Sequence, residues 1–286
     1  MGTIMSAGAP GATATIDGRI TKKMLQALAP LPDTAVRLLA LLDDPNVSMR
    51  EIANTAVRDV GISATMLRMA NSAMFGLRGR IGSISDALRV IGTAQARLLV
   101  LASGVSQAAQ KELPVYGLEA GAFLSHSELV ANLTMQVAHE LHYANIGSAY
   151  SAGLLHDIGK IVINGAARQA GEPGLILFER EMERRGCTLR EAEQAVCGND
   201  HAQVGKVLTE MWSLPVELTR AVALHHEVHA RDEGDELAYC VAVADAVAIA
   251  ANPSYPALHA GEPPVVADDA VDMEKLLRHA EELVKG

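Results

Sequence analysis

A histidine and an aspartate stand together inside an apolar run, Gly153-Leu154-Leu155-His156-Asp157-Ile158-Gly159-Lys160. Packing alone would place Leu or Ala at positions 156 and 157. An imidazole nitrogen beside a carboxylate oxygen suits a divalent first-row metal. Neighbouring residues of a helix point ~100° apart, so both reach one ion only if it sits beside the helix and other helices complete its shell. Further donors fall in predicted helices of the second half: His126, His201, the pair His225-His226, and Asp245. Asp245 interrupts Val241-Ala242-Val243-Ala244-Asp245-Ala246-Val247-Ala248, a segment apolar enough to be buried. A buried carboxylate costs several kcal/mol unless it has a partner or a metal, although a hydrogen bond to a neighbouring helix would also serve. Taken singly, each of these histidines reads more simply as a core or surface residue. Lys160 and Lys206, taken singly, read as solvated lysines. His139, His142, His229, His259 and His279 carry no signal. The candidates gain weight only from their order along the chain.

The elements that must position them are helical. Hydrophobic residues make up 49% of the 286-residue chain and aromatics only 3%, so Leu, Ala, Val, Ile and Met must fill the core. That mix favours helices packed through small side chains. Residues 1–16, rich in Gly, Ala and Thr, are expected to be a disordered tail. Helical periodicity begins near Thr21. Pro30-Leu31-Pro32-Asp33 reads as a turn with Asp33 as the N-cap of a Leu-rich helix that ends at Asp43-Asp44-Pro45-Asn46. Ser48-Met49-Arg50-Glu51 has the form of a capping box, and Ile52, Ala53 and Ala56 should face inward from the helix it opens. Asp59-Val60-Gly61 is expected to break that helix before another over 62–73. A short helix over 84–91 should stop at Gly92, with a long one over 93–110. The second half predicts helices over 122–142, 146–164, 174–185, 188–197, 200–212, 215–228 and 235–251. A last amphipathic helix over 270–284 follows the breaker Asn252-Pro253-Ser254-Tyr255-Pro256 and a loop over 261–264. No alternating strand pattern of convincing length appears, which makes the fold class all-α.

The order of the polar residues resembles the HD superfamily of metal-dependent phosphohydrolases: a His, then a His-Asp pair, then a distant Asp, here His126, His156-Asp157 and Asp245. His201 and His225-His226 match further ligand positions of its HD-GYP branch, and Lys160 matches a lysine that approaches a substrate phosphate there. A closer resemblance is to the HDOD family. It is carried by Leu31-Pro32 and the Leu-rich helix after it, by Asn71-Ser72-Ala73-Met74-Phe75-Gly76, and by the 84–91 helix with Gly92. It continues through segment 153–160, Asp200-His201-Ala202-Gln203-Val204-Gly205, Trp212-Ser213-Leu214-Pro215 and His225-His226. The resemblance spans roughly residues 20–250. It implies an N-terminal helical bundle packed on an HD-like helical bundle. The corresponding division is a subdomain over 17–115, an HD-like subdomain over 116–251, and a linker with a C-terminal helix over 252–286. It implies a bacterial signalling protein, with response regulators, kinases or cyclic-nucleotide enzymes as partners. Many family members have lost HD ligands and do not catalyse. This chain keeps a nearly complete set, which implies a divalent metal, Fe, Mn, Ni or Zn, held by His126, His156, Asp157, His201, His225, His226 and Asp245.

Three function classes follow. The first is a signalling and interaction module, whose small-residue helices could present a groove to a partner helix. The second is a metal-dependent phosphohydrolase, with Lys160 steadying the phosphate. A Gly-Tyr-Pro motif does not follow His225-His226, where the chain runs Glu227-Val228-His229-Ala230-Arg231-Asp232, and this argues against cyclic di-GMP as the substrate. The third is DNA binding through two short helices near 48–73. A net charge of −10 without a basic run opposes it, and opposes a membrane-surface role. Three cysteines without a Cys-x-x-Cys pair, no leader-like start and no long uncharged apolar stretch lead to a cytoplasmic expectation.

Overall fold

A computed structural model describes residues 32–44, 46–72, 75–76, 79–169, 174–228, 231, 235–252, 265 and 268–285. The expected tail over 1–16, the periodicity from Thr21, and the breaker residues 253–264 lie outside the described residues, as do Leu31, Ala73, Met74, His229 and His259.

Helices are the only extended elements among the described residues, and the sole β-type pairing is an isolated bridge between Leu113 and Leu118. The chain runs through α1 (Asp33–Asp43), α2 (Met49–Ala56), α3 (Val60–Ala70) and α4 (Ile84–Ala109), then a 3-10 turn, Pro114–Tyr116. It continues through α5 (Ala122–Glu140), α6 (Ile146–Leu155), α7 (Gly159–Gln169), α8 (Gly174–Arg185) and α9 (Leu189–Cys197). The last elements are α10 (His201–Met211), α11 (Val216–Leu224), α12 (Glu236–Ala251) and α13 (Met273–Lys285). No helix among the described residues is long and apolar enough to cross a membrane.

The cap read from sequence at Ser48 is formed, with Ser48 Oγ accepting from the Glu51 amide, and the structure adds a reciprocal capping box of Thr188 with Glu191. Other boundaries differ from the sequence reading. Pro32, not Asp33, is the cap residue of α1. The break before α3 falls at residues 57–59, because Asp59 Oδ1 accepts the Ile62 amide and so starts the helix at Val60, with Gly61 inside it. At Gly92 the reading holds: φ 78° and ψ 163° are non-helical and divide α4 into two helical segments at the expected stop. A left-handed φ favours glycine there, and helix resumes on both sides.

In the first half α1, α2 and α3 all pack on α4. In the second half α12 is central, covered by α5, α6, α11 and α13. Its residues 237–245 are all buried, as the apolar composition all round requires. Helix α4 packs on α6 and on α5, so one buried hydrophobic cluster runs through both halves. The described cysteines, Cys187, Cys197 and Cys240, are free thiols.

Candidate metal centre

The sequence places 146–164 in one helix; the chain instead breaks between α6 and α7, and the break is the site. His156 caps the C-terminus of α6, and Asp157 and Ile158 form the turn before α7. The turn allows the two side chains to reach a common centre, which a continuous helix would have splayed apart. Similarly, His225 is the C-cap of α11 and His226 follows it, where a helix to 228 was expected. His201 opens α10, while His126 and Asp245 sit within α5 and α12.

Close packing lets these elements converge. A Cβ on Gly159 would lie 1.9 Å from the His201 carbonyl oxygen, so α7 and α10 meet backbone to backbone. A Cβ on Gly153 would lie 2.7 Å from Ala131 Cα, so α6 sits equally close to α5.

All seven donors named from sequence come together. His126, His156, Asp157, His201, His225 and Asp245 are buried and His226 is half-buried. Asp157 is the centre. Its Oδ1 lies 3.2 Å from His201 Nε2 and 3.9 Å from His225 Nε2, and His226 Nε2 lies 2.9 Å from His201 Nε2. On the other side, His156 Nε2 lies 3.3 Å from Asp157 Oδ2 and 3.6 Å from Asp245 Oδ1. His126 Nε2 lies 3.0 Å from Asp245 Oδ1. Two donor groups therefore share Asp157: one with His201, His225 and His226, the other with His126 and His156. A metal ~2.1 Å from each of four tetrahedral ligands separates those ligands by ~3.4 Å. The observed separations straddle that value.

The hydrogen bonds around the centre fix which imidazole nitrogen carries hydrogen and which faces the other donors. Nδ1 of His156 donates to the Gly153 carbonyl at 2.8 Å, and Nδ1 of His225 to the Val222 carbonyl at 2.8 Å. A carbonyl only accepts, so each Nδ1 holds a hydrogen. Nδ1 of His201 donates to Glu193 Oε2 at 2.8 Å. Backing of this kind orients metal-ligating histidines. His156 Nε2, His225 Nε2 and Asp157 Oδ1 are buried without a hydrogen bond. Buried polar atoms of this kind are rare unless something else fills the position. Nitrogen and carboxylate donors, spaced as above, fit a divalent first-row metal.

Electrostatics follow from burial and crowding. Burial, then neighbouring imidazoles, holds His225 and His226 well below the ordinary histidine range, and burial also lowers His126. Burial pulls His156 down too, but the carboxylates of Asp157 and Asp245 outweigh it and raise it to about 10. Asp157 is opposed by burial, yet His156 and Lys160 hold its carboxyl well below the usual range.

Lys160 is not solvated. It is fully buried, donates to Asp157 Oδ2 at 2.6 Å, and lies 5.8 Å from the Tyr116 ring centroid. Lys206 is exposed. His139, His142 and His279, given no role from sequence, are exposed and away from the centre.

Sequence reasoning missed Glu193 and Tyr116. Glu193 is fully buried and accepts the His201 amide at 2.9 Å, His201 Nδ1, and the Tyr116 hydroxyl at 2.7 Å. The signal was available: Glu193 stands on the apolar stripe of Leu189, Ala192, Val196 and Cys197, at helical spacing.

An all-helical chain with a His/Asp centre of this kind defines an HD-type protein. Within that class the HDOD domain model matches residues 28–228, and the chain belongs to the HDOD family. Solved structures share the fold. An HDOD domain protein of unknown function from Geobacter sulfurreducens is 20% identical, with a TM-score of 0.56 over 92% of both chains. A protein from Shewanella amazonensis, provisionally named a phosphohydrolase, is 24% identical, with a TM-score of 0.61 over 92% of both chains. A Marinobacter aquaeolei protein, provisionally named for signal transduction, is 24% identical with a TM-score of 0.60; the match covers 96% of this chain and 60% of that one. An uncharacterized protein of Treponema pallidum is 25% identical over 222 residues, which is 75% of this chain and 41% of that relative's length.

Proposed function

We propose that this chain is a metal-holding HDOD signalling module that acts by interaction rather than by turnover. One ion would be held by His201, His225, His226 and Asp157, and a second by His126, His156, Asp245 and the shared Asp157. The observation that carries the reading is the set of backed histidines whose Nε2 atoms converge on Asp157. Fe, Mn, Ni and Zn all suit these donors. Burial favours a structural or sensing role, because six of the seven donors are buried. Lys160 would balance the charge of Asp157, since its ammonium is fully buried and already engaged there. Partners would be signalling proteins such as response regulators, kinases or cyclic-nucleotide enzymes in a bacterial cytoplasm, with no role for nucleic acid or membrane.

A second reading, a metal-dependent phosphohydrolase acting on a nucleotide or other phosphoester, is favoured by one feature. His226 lines a surface cavity of about 780 Å³ that also holds Arg185 and Arg190. A bound metal would lower the pKa of a water toward ~7 and offset charge on phosphorus. In that reading Lys160 would help bind the phosphate.

Elemental analysis after incubation with Fe, Mn, Ni and Zn tests the metal, and turnover of bis(p-nitrophenyl) phosphate separates the two readings. Bound metal without turnover, with partner capture from cell extract, is the expected result. A chain that takes up no metal contradicts both readings. Metal-dependent turnover lost in His226→Ala, with no partner recovered, overturns the first in favour of the second.

A further inference from the structure

Helix α9 carries two charged residues three positions apart, Arg190 and Glu193, so both stand on one side of it. Glu193 accepts the His201 amide and His201 Nδ1. Arg190 makes a separate set of contacts beside the same donors. Its side chain is only 18% exposed. One nitrogen, Nη2, donates to Asp200 Oδ2 at 3.0 Å and to Glu227 Oε1 at 2.6 Å. Its Nε is buried without a hydrogen bond. Leaving a buried donor unpaired costs free energy, so the two ion pairs are what hold the guanidinium in this position.

Each carboxylate that Arg190 engages stands next to a candidate metal donor in the chain. Asp200 precedes His201. Its Oδ1 accepts the Gln203 amide at 2.8 Å and so caps α10, which leaves Oδ2 for Arg190. Glu227 follows His226 in the turn after α11, where its amide bonds the Leu224 carbonyl at 2.8 Å. Arg190 therefore ties the start of α10 to the turn that ends α11. Between these two points the His201 and His226 rings meet, 4.9 Å apart at their centroids and 2.9 Å apart at Nε2. His201 and His226 belong, with His225 and Asp157, to one of the two donor groups. The other group draws on α5, α12 and the end of α6. Both ion pairs of Arg190 run to the first group's side.

The position of the pair relative to solvent adds an independent sign. His226 is half-buried where the other six donors are buried, and it lines the same surface cavity as Arg190, Asp200 and Glu227. Glu227 is 56% exposed. The Arg190–Glu227 pair thus sits where the His226 turn meets solvent. An exposed ion pair contributes little when two long side chains must both be ordered. Here the guanidinium is already fixed by Asp200, so only Glu227 has to be ordered.

We propose that Arg190 is a positioning residue for the ion held by His201, His225, His226 and Asp157, and that its pair with Glu227 is the latch that keeps the His226 turn closed on that site. Arg190 touches none of these donors; it acts through the residues beside two of them. Opening the latch frees the turn at its solvent side, so His226 is the donor that moves. The donor group of His126, His156 and Asp245 is left in place. The metal half of the inference rests on the metal reading above; the closing of the turn over His226 does not.

Glu227→Gln opens the latch at an exposed position and leaves Arg190 paired with Asp200, whereas Arg190→Gln removes both ties. Metal-free protein is treated with diethyl pyrocarbonate, which acylates imidazole nitrogen. Each histidine is followed by fragmentation mass spectrometry, with exposed His142 and His279 as the reference. His226 is expected to react about fivefold faster in Glu227→Gln than in the parent, the upper scale of an exposed ion pair. It should react faster still in Arg190→Gln, while buried His126 and His156 keep the parental rate. A His226 rate unchanged in both variants overturns the latch. So does faster reaction of His126 and His156 alongside it, which marks general loosening rather than positioning. Zn(II) binding is then measured by chelator competition. In Glu227→Gln the affinity for one ion is expected to fall about fivefold while the other holds within about twofold. A fall in both, or in neither, overturns the positioning role at the metal. If the parent takes up no Zn(II), the metal reading fails separately, and the labelling still decides the latch.

Discussion

Glu193 accepts three hydrogen bonds, two of them from His201, and so holds His201 Nδ1 as a donor with Nε2 facing Asp157. Neutralising it removes the charge that orients the ring. Glu193→Gln is expected to lower metal affinity by about 10–100-fold while the chain stays folded, the usual scale for a residue backing a metal ligand; chelator competition measures it. An affinity within twofold of the parent would show that Glu193 only packs. The thiols give a pH test of the buried shell. Burial, followed by a nearby Glu193 or Glu236 carboxylate, pushes Cys197 and Cys240 up to about 12. At pH 8 only about one in 10⁴ of either is thiolate, the reactive form, and the fraction grows as pH rises toward 12. Iodoacetamide at pH 8 should therefore modify half-exposed Cys187 alone, read by mass spectrometry. Labelling of Cys197 at the rate of Cys187 would contradict this packing. His156-Asp157 and Asp245 were legible as polar residues in apolar runs, whereas His126, His201, His225 and His226 gained weight only from an order that resembles the HD pattern. Glu193 was passed over, because an acidic residue in a half-polar helix looks solvated unless its place on the apolar stripe of Leu189, Ala192, Val196 and Cys197 is noticed.

At the scale of elements, the caps and apolar stripes carried most of the reading. Ser48, Thr188 and Glu191 start helices where their side chains can satisfy open amides. The breaks at the site were not legible. Apolar residues continue on both sides of His156-Asp157, and no proline marks the turn. What demands it is tertiary: α7 must restart at Gly159 to lie against the His201 carbonyl. Gly159→Ala is expected to force these backbones apart at a cost of about 1–3 kcal/mol. At ~2–4 °C per kcal/mol, Tm should fall by about 2–12 °C. The same variant should weaken metal binding, because Asp157 and His201 move with the two helices. A Tm unchanged within 1 °C would show that the close approach is not required.

At the scale of the molecule, two halves share one buried core, and α4 reaches from the first onto α5 and α6 of the second. The donors come from α5, α10, α12 and the ends of α6 and α11, so a metal would cross-link helices distant in sequence. Binding to the folded state alone stabilises it by about 2.7 kcal/mol at a free concentration 100 times Kd. Tm should therefore rise by several degrees on metal addition, and Asp157→Asn should abolish the rise. Anomalous X-ray scattering at the metal edge, from crystals grown with Mn(II) or Zn(II), addresses the centre most directly. Two peaks are expected on opposite sides of Asp157, one among His201, His225 and His226 and the other among His126, His156 and Asp245. No peak within bonding distance of Asp157 would contradict the account.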